Sequence, residues 1–326
     1  MPPPLRLKTA IATYGHSAAL KDGRASIEGV APDFIEINPI IQAFRRMVRD
    51  VEFDICEMAP ATYMIARSFG APFKALPIFI FRRFHHGGFV YREDSGIRQP
   101  KDLEGKRVGV RAYSVSTGIW TRGILANEYG VDTSKVTWVV DDEEHVTQLK
   151  LPANVVHAPA GQSLVSMMAS GALQAAFTGP AGIGRAGAPK DGWEASKVDS
   201  AATYRELFDD VEKREAEWFR STGIYPTHGL IVVKDEVLAD HPWVARSLFD
   251  AFSKAKALYL ERLNAGEIKT DTDRSYAALT KIVGDPLPYG IKANLPAIEA
   301  LIKYCYQQKL LPKHYAVSDM FVDPEA

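Results

Sequence analysis

The chain has 326 residues, enough for one large α/β domain or two ordinary ones, each with a core of its own. Its 39 basic and 40 acidic side chains nearly cancel, so no net charge attracts it to nucleic acid or to a membrane. The first fifteen residues lack the pattern of a signal peptide, and no apolar run is long enough to span a bilayer. We therefore expect a cytoplasmic protein that binds a small molecule; whether it forms a homo-oligomer stays open.

Strands and helices alternate along the first 82 residues. Residues 5–15, ending at a turn with Gly15, and residues 31–39, 53–59 and 73–81 have the apolar content of strands, and residues 40–54 and 60–69 have helical character. Alternation of this kind predicts a mostly parallel sheet with helices on both faces.

The character of the sequence changes after Glu93. A polar segment with Gly and Pro leads into a new strand, and further elements follow in order: strand 107–110, helix 116–129, strand 136–140, a helix and strand within 163–177, helix 203–220 and strand 227–233. A long helix follows, with Asp240 as its expected N-cap and Pro242 near its first turn.

Basic residues cluster at the end of the strand in "FIFRRFHHGG". If the strand continues, its period of two places Arg82, Phe84 and His86 on one side, and Arg83 and His85 on the other. Ligands of open α/β sheets bind at the carboxyl ends of strands, so one set could bind an anion. The alternative is a solvated basic turn.

Other candidate residues also follow strands. Glu57 ends a strand and could hold basic groups or move a proton, or it could simply stabilise a helix start. Arg111, Tyr113, Ser116 and Thr117 lie where a strand leads into a helix, which is a site suited to a carboxylate. The acidic run 141–146 ("DDEEHV") is expected to be a solvated loop.

No metal or cofactor is predicted. Cys56 and Cys305 are far apart, and no group of His, Cys, Asp or Glu has the spacing of metal ligands. The glycines near residue 180 lack both the dinucleotide-binding spacing and the Lys-Ser/Thr of a P-loop.

Four segments carry a resemblance to known proteins: "FDICEMAPATYM", the Arg-x-Phe-x-His pattern at Arg82, Phe84 and His86, "IWTRGILANEYGV", and "GIYPTHG". With these segments the chain resembles the 4,5-dihydroxyphthalate decarboxylase family, within the type 2 periplasmic-binding-protein-like superfamily. The resemblance implies an α/β fold with two lobes around a ligand cleft, joined by two crossing strands. Lobe I would comprise residues 1–93 and 225–326, and lobe II residues 94–224.

The resemblance also implies site residues. It favours Arg82, His86 and Arg122, and the second crossing of the implied fold would bring His228 and Tyr225 near His86. Together with the residues chosen from their positions, the predicted catalytic groups are His86, His228 and Glu57. The predicted substrate-binding residues are Arg82, His85, Arg111, Tyr113, Thr117, Trp120, Arg122 and Tyr225.

The implied activity is decarboxylation, without a cofactor, of 4,5-dihydroxyphthalate to protocatechuate and CO2. A histidine would protonate the ring carbon, and arginines would bind the carboxylates. A solute-binding protein of an ABC-type importer for aromatic carboxylates or sulfonates is the alternative, since it would use the same arginines. A cytoplasmic ligand sensor is a third interpretation.

Overall fold

The computed structural model describes residues 3–184 and 204–326, and it contains two mixed sheets with helices against them. The strands are β1 Leu5–Ala10, β2 Val30–Phe34, β3 Ile55–Met58, β4 Phe73–Arg82, β5 Phe89–Arg92, β6 Arg107–Gly109, β7 Thr137–Val140, β8 Val155–His157, β9 Ala175–Phe177, β10 Tyr204–Glu206 and β11 Thr227–Lys234. The helices are α1 Ala18–Lys21, α2 Ile41–Asp50, α3 Pro60–Ser68, α4 Ser116–Glu128, α5 Leu164–Ser170, α6 Val211–Thr222, α7 Asp235–Asp240, α8 Trp243–Asn264, α9 Asp271–Val283, α10 Ile291–Gln307 and α11 Val317–Met320.

The chain divides into two compact units. The first comprises residues 1–83, 218–302 and 314–326, and the second comprises residues 84–217 and 303–313. These ranges differ from the expected lobes at their edges. Residues 84–93 belong to the second unit because β5 pairs with β9 and β10. Residues 303–313 also belong to it, although they were expected in the first.

The sheet of the first unit has the strand order β2-β1-β3-β11-β4. Strands β1, β2 and β3 are parallel, whereas β11 runs antiparallel to both β3 and β4. The sheet is therefore mixed rather than mostly parallel. Apolar side chains of β1, β4 and β11 pack with α8 into a core that includes Leu7, Ile78, Ile231, Leu248 and Phe252.

The sheet of the second unit has the order β10-β5-β9-β6-β7-β8, with β9, β6, β7 and β8 parallel. Its core includes Val139, Leu164, Met168 and Ala176. Two local predictions are wrong in this part of the chain and beyond it. The segment expected to be one helix contains strand β10 before α6, and Pro242, not Asp240, is the N-cap of α8 because Asp240 ends α7.

Candidate functional site

Each sheet has a switch point, which is a strand from which the chain continues to one side of the sheet and later returns to the other side. In the first unit, β1 is followed by β2 on one side and then by β3 on the other. In the second unit, β6 is followed by β7 and β8 on one side and then by β9 on the other. Ligands of open α/β sheets bind outside the carboxyl ends of the strands at such points. The residues that follow β1, β3, β6 and β9 are therefore the first to consider.

At the first switch point, Glu57 near the end of β3 meets the loop that follows β1. The Tyr14 hydroxyl donates to Glu57 Oε1 at 2.6 Å, and the Ala12 amide donates to Oε2 at 3.0 Å. Glu57 is only 2% exposed. Burial raises the pKa of its carboxyl, although both hydrogen bonds act in the opposite direction. Glu57 therefore keeps its proton to a higher pH than an exposed carboxyl does.

Aromatic rings hold Tyr14 in place. Its ring stacks parallel to His16 at 5.3 Å and lies 6.4 Å from Phe81. The ring of Tyr259 comes so close to Gly15 that a Cβ there would lie 2.4 Å from it, which explains the glycine. Burial lowers the pKa of His16 to about 4, so this ring is neutral at pH 7.

Arg82 ends β4 and is buried within the first unit. Its Nη1 donates to the Tyr225 carbonyl at 2.8 Å, and its Nη2 contacts the carbonyl of Pro288 and the side-chain oxygen of Asn294. The guanidinium also lies 4.9 Å from the centre of the Tyr225 ring. The geometry therefore gives Arg82 and Tyr225 a structural role, and binding of substrate by them stays a prediction.

The predicted alternation from Arg82 to His86 is wrong, because β4 ends at Arg82. Phe84, His85 and His86 are all buried in the second unit. His85 stacks on Trp120 with the rings 5° from parallel, and the Thr121 hydroxyl donates to the His85 carbonyl at 3.1 Å.

The two candidate catalytic histidines belong to different units. His86 lies in the second, edge-on to Phe208 at 5.6 Å, and burial lowers its pKa to about 4, with Arg214 acting in the same direction. His228 lies in the first, edge-on to Phe81 at 5.4 Å, and burial, followed by Arg83, lowers its pKa to about 3. Both rings are neutral at pH 7, so the expectation of a histidine acid is not supported by its charge state.

At the second switch point, Arg111 follows β6. Its amide donates to the Ala181 carbonyl, just beyond β9, at 2.8 Å. Its guanidinium lies 3.6 Å from Asp142 Oδ2, and the side chain retains 14% exposure. Of the arginines expected to bind substrate, Arg82 and Arg122 are fully buried, whereas the Arg111 side chain remains partly exposed.

A carboxylate of the chain itself occupies the donors that precede α4. Glu144 accepts hydrogen bonds from the amides of Tyr113 and Ser114, at 2.6 and 3.1 Å, and from the Ser114 hydroxyl. The prediction that residues 141–146 form a solvated loop is therefore wrong. Ser116 and Thr117 are buried beside these donors, and binding of a ligand carboxylate at this helix start stays a prediction.

Arg122 is fully buried on α4. Its Nε donates to Gln308 Oε1 at 2.7 Å, its Nη2 donates to the Tyr113 carbonyl, and its guanidinium lies 3.9 Å from the centre of the Tyr113 ring. Trp120 packs edge-on against Tyr304 at 5.7 Å. These contacts are structural, and binding of substrate by Arg122 and Trp120 stays a prediction.

Sequence reasoning missed Tyr14 and Glu144. Tyr14 could have been found, since it follows β1 in the segment "ATYGHS", and β1 and β3 were both predicted. Glu144 could not, because its donors lie 30 and 31 residues away and no local pattern links them.

Metal binding and membrane crossing have simple structural requirements. Across residues 3–184 and 204–326, no group of three His, Cys, Asp or Glu side chains is placed to hold a metal ion. Within the same ranges, none of the helices has the length and apolar character that crossing a membrane requires.

Comparison with known proteins gives two kinds of similarity. Residues 45–174 match the family model described as NMT1/THI5 like. A 4,5-dihydroxyphthalate decarboxylase of Comamonas testosteroni is 34% identical over 268 residues, which is 80% of this chain and 77% of that protein. A protein of the same name from Pseudomonas putida is 37% identical over 179 residues, covering 52% of this chain and 69% of the relative.

Solved structures support the fold. The periplasmic aliphatic sulphonate binding protein SsuA of Escherichia coli superposes with a TM-score of 0.51, covering 99% of this chain and 93% of SsuA. The identity is 14%, so the similarity extends to the fold alone. The predicted α/β fold of the periplasmic-binding-protein type is confirmed.

Proposed function

Because this chain belongs to the 4,5-dihydroxyphthalate decarboxylase family, we propose that it converts 4,5-dihydroxyphthalate into protocatechuate and CO2. One feature of the geometry carries the proposal: the hydrogen bond from the half-buried Tyr14 to the buried Glu57 at the β1/β3 switch point. Replacing a ring carboxylate by hydrogen requires a proton donor, and this pair is suited to hold one.

The chemistry needs no external electron acceptor. Each carboxyl-bearing carbon of the substrate has a hydroxyl para to it. Loss of that hydroxyl's proton pushes electrons into the ring, and the carbon bearing the carboxylate accepts a proton. The C–CO2 bond then breaks, its electrons restore the aromatic ring, CO2 leaves and the phenolate is protonated again. The balance is one proton taken up for each CO2 released, and the reaction is proposed to need no cofactor.

We assign the acid to Glu57 and not to a histidine. Burial raises the pKa of Glu57, which favours its protonated form, whereas His86 and His228 have pKa values of about 4 and 3 and are neutral at pH 7. A neutral imidazole can accept a hydrogen bond from the phenol, but pKa values this low make both rings weak bases. Catalytic roles for His86 and His228 therefore stay predictions.

Arg111 is the proposed cation for a substrate carboxylate, because its side chain retains 14% exposure and a guanidinium binds carboxylates well. Tyr113, Thr117 and His85 remain proposed substrate contacts of the second unit. The expected cytoplasmic location also stays a prediction.

The test is incubation with 4,5-dihydroxyphthalate in D2O, with CO2 and protocatechuate quantified. We expect one deuterium in the product, on the ring carbon ortho to the remaining carboxylate. Phthalate, which has no hydroxyl, is the matched control and should bind without reacting. Tight binding of both compounds with no CO2 from either would reject the proposal in favour of a solute-binding protein or a ligand sensor.

A further inference from the structure

A hydrogen bond joins the buried Glu57 carboxyl to the wall of a pocket. A pocket of about 260 Å³ lies in the first unit, and its lining includes Tyr14, Tyr259, Arg262, Lys269 and Asp273. Glu57 is not part of that lining and is 2% exposed. The described contact between the pocket wall and the Glu57 carboxyl is the 2.6 Å hydrogen bond from the Tyr14 hydroxyl.

We propose that Tyr14 is a catalytic residue that delivers the Glu57 proton to the ring carbon of a dihydroxylated aromatic carboxylate that meets the Tyr14 side of this pocket. This inference rests on the proposed decarboxylation. As the Tyr14 O–H bond breaks and its proton forms the new C–H bond, the Tyr14 oxygen accepts the proton of Glu57. Glu57 is left as a carboxylate, which regains a proton from solvent once CO2 has left.

The surroundings of Tyr14 explain why the two transfers occur together. Burial and the adjacent Glu57 raise the pKa of the Tyr14 phenol far above its usual value, so it does not ionise by itself. It can lose a proton only while it gains one. A hydroxyl can do both, because it has one donor and two lone pairs.

The charged and titratable groups around Glu57 determine how the acid responds to a mutation. They are Tyr14 after β1, Lys21 of α1, Cys56 of β3 and Tyr276 of α9. On β11, the residue that pairs with Glu57 is Ile231, which has no titratable group. Because the Tyr14 hydrogen bond lowers the pKa of Glu57, its removal must raise that pKa further.

The first experiment compares Tyr14→Phe with Tyr63→Phe. Tyr63 is the matched control, because it also loses a hydroxyl hydrogen bond in the first unit, to the Met320 carbonyl, and does not bond Glu57. For Tyr14→Phe we expect kcat to fall about 10²-fold, the lower end for a lost proton donor. We also expect the alkaline limb of the kcat/KM profile to move to higher pH. A wild-type kcat, or a loss of kcat without that displacement, would overturn the inference.

The second experiment needs no variant. Rates of the wild-type protein are measured in mixtures of H2O and D2O; two protons in transfer together give a curved dependence on the deuterium fraction, whereas one proton gives a straight line. A straight line would reject the Tyr14 relay while leaving decarboxylation intact. If the wild-type protein releases no CO2, it is the proposed function that fails.

Discussion

The two switch points of this protein place carboxylates in different surroundings. In the first unit, Glu57 is buried and accepts from one phenol and one amide. In the second unit, Glu144 is half-buried and accepts from two amides and a hydroxyl just before a helix. The same topological position thus holds a carboxylate bonded to a phenol and one amide in one unit, and a carboxylate bonded to two amides and a hydroxyl in the other.

The difference follows from what each strand leads into. β1 leads into an aromatic loop, in which Tyr14 stacks on His16 and donates to Glu57, and the burial of Glu57 favours its neutral form. β6 leads into the N-terminal end of α4, where backbone amides lack partners within the helix and favour an anion. The segment that follows each central strand therefore determines whether its surroundings favour a neutral acid or an anion.

The largest expected effect tests the acid. Glu57→Gln keeps the shape of the side chain but removes its proton, so turnover should fall by about 10²–10⁴ while KM changes little. Initial rates of CO2 release measure this, with the exposed Glu28→Gln as the control. Turnover of Glu57→Gln within about threefold of wild type would remove the chemical distinction between the two units.

The next effect concerns stability. Arg82→Met removes a buried guanidinium that contacts the oxygens of Tyr225, Pro288 and Asn294, so the free energy of unfolding should fall by about 3 kcal/mol or more. Arg246→Met, on the exposed face of α8, should change it by less than about 0.5 kcal/mol. Urea unfolding measures both. If Arg82→Met unfolds like wild type but binds phthalate weakly, the binding role implied by the family resemblance is correct after all.

Most elements of the fold could be predicted, because helix and strand periods are local. Strand ends and unit edges could not. β5 was missed because its partners β9 and β10 lie more than 80 residues later, and nothing in "FVYR" announces that pairing. Arg82 and Arg122 were expected to bind substrate for a related reason: Asn294 and Gln308, which accept their hydrogen bonds, are 212 and 186 residues away.

The candidate site was predictable in part. Glu57 was identified because it ends a strand, and Arg111 because it lies between a strand and a helix. The roles were harder to assign, since burial decides them: the same residue types predict a histidine acid in water, but burial lowers the pKa values of His86 and His228 and raises that of Glu57. Residue types can be read directly from a sequence, whereas the burial that shifts their pKa values is known only from the folded structure.

A smaller change, counted per pH unit, is expected in the free energy of unfolding as the pH falls. His16, His86 and His228 have folded-state pKa values of about 4, 4 and 3, below the ordinary 6.5, so the unfolded chain binds more protons as the pH falls below 6.5. Stability from these groups is fully present above pH 6.5 and declines towards pH 4. Each contributes up to about 1.4 kcal/mol per pH unit. His86→Phe should reduce the slope and the exposed His157→Phe should not; equal slopes for wild type and His86→Phe would contradict this.

The smallest effect tests the second switch point. Glu144 occupies donors that would also suit a ligand carboxylate. Glu144→Gln should weaken the hydrogen bonds that this side chain accepts by about 1 kcal/mol, which is the difference between hydrogen bonds to a charged and to a neutral acceptor. Phthalate should then bind about fivefold more tightly by titration calorimetry, since 1.4 kcal/mol is tenfold. Glu143→Gln removes the same charge from an exposed neighbour, and it should leave Kd within about twofold of wild type. Equal tightening in both variants would mean that only net charge changed. Weaker binding in Glu144→Gln would mean that Glu144 shapes the binding surface rather than competing for its donors.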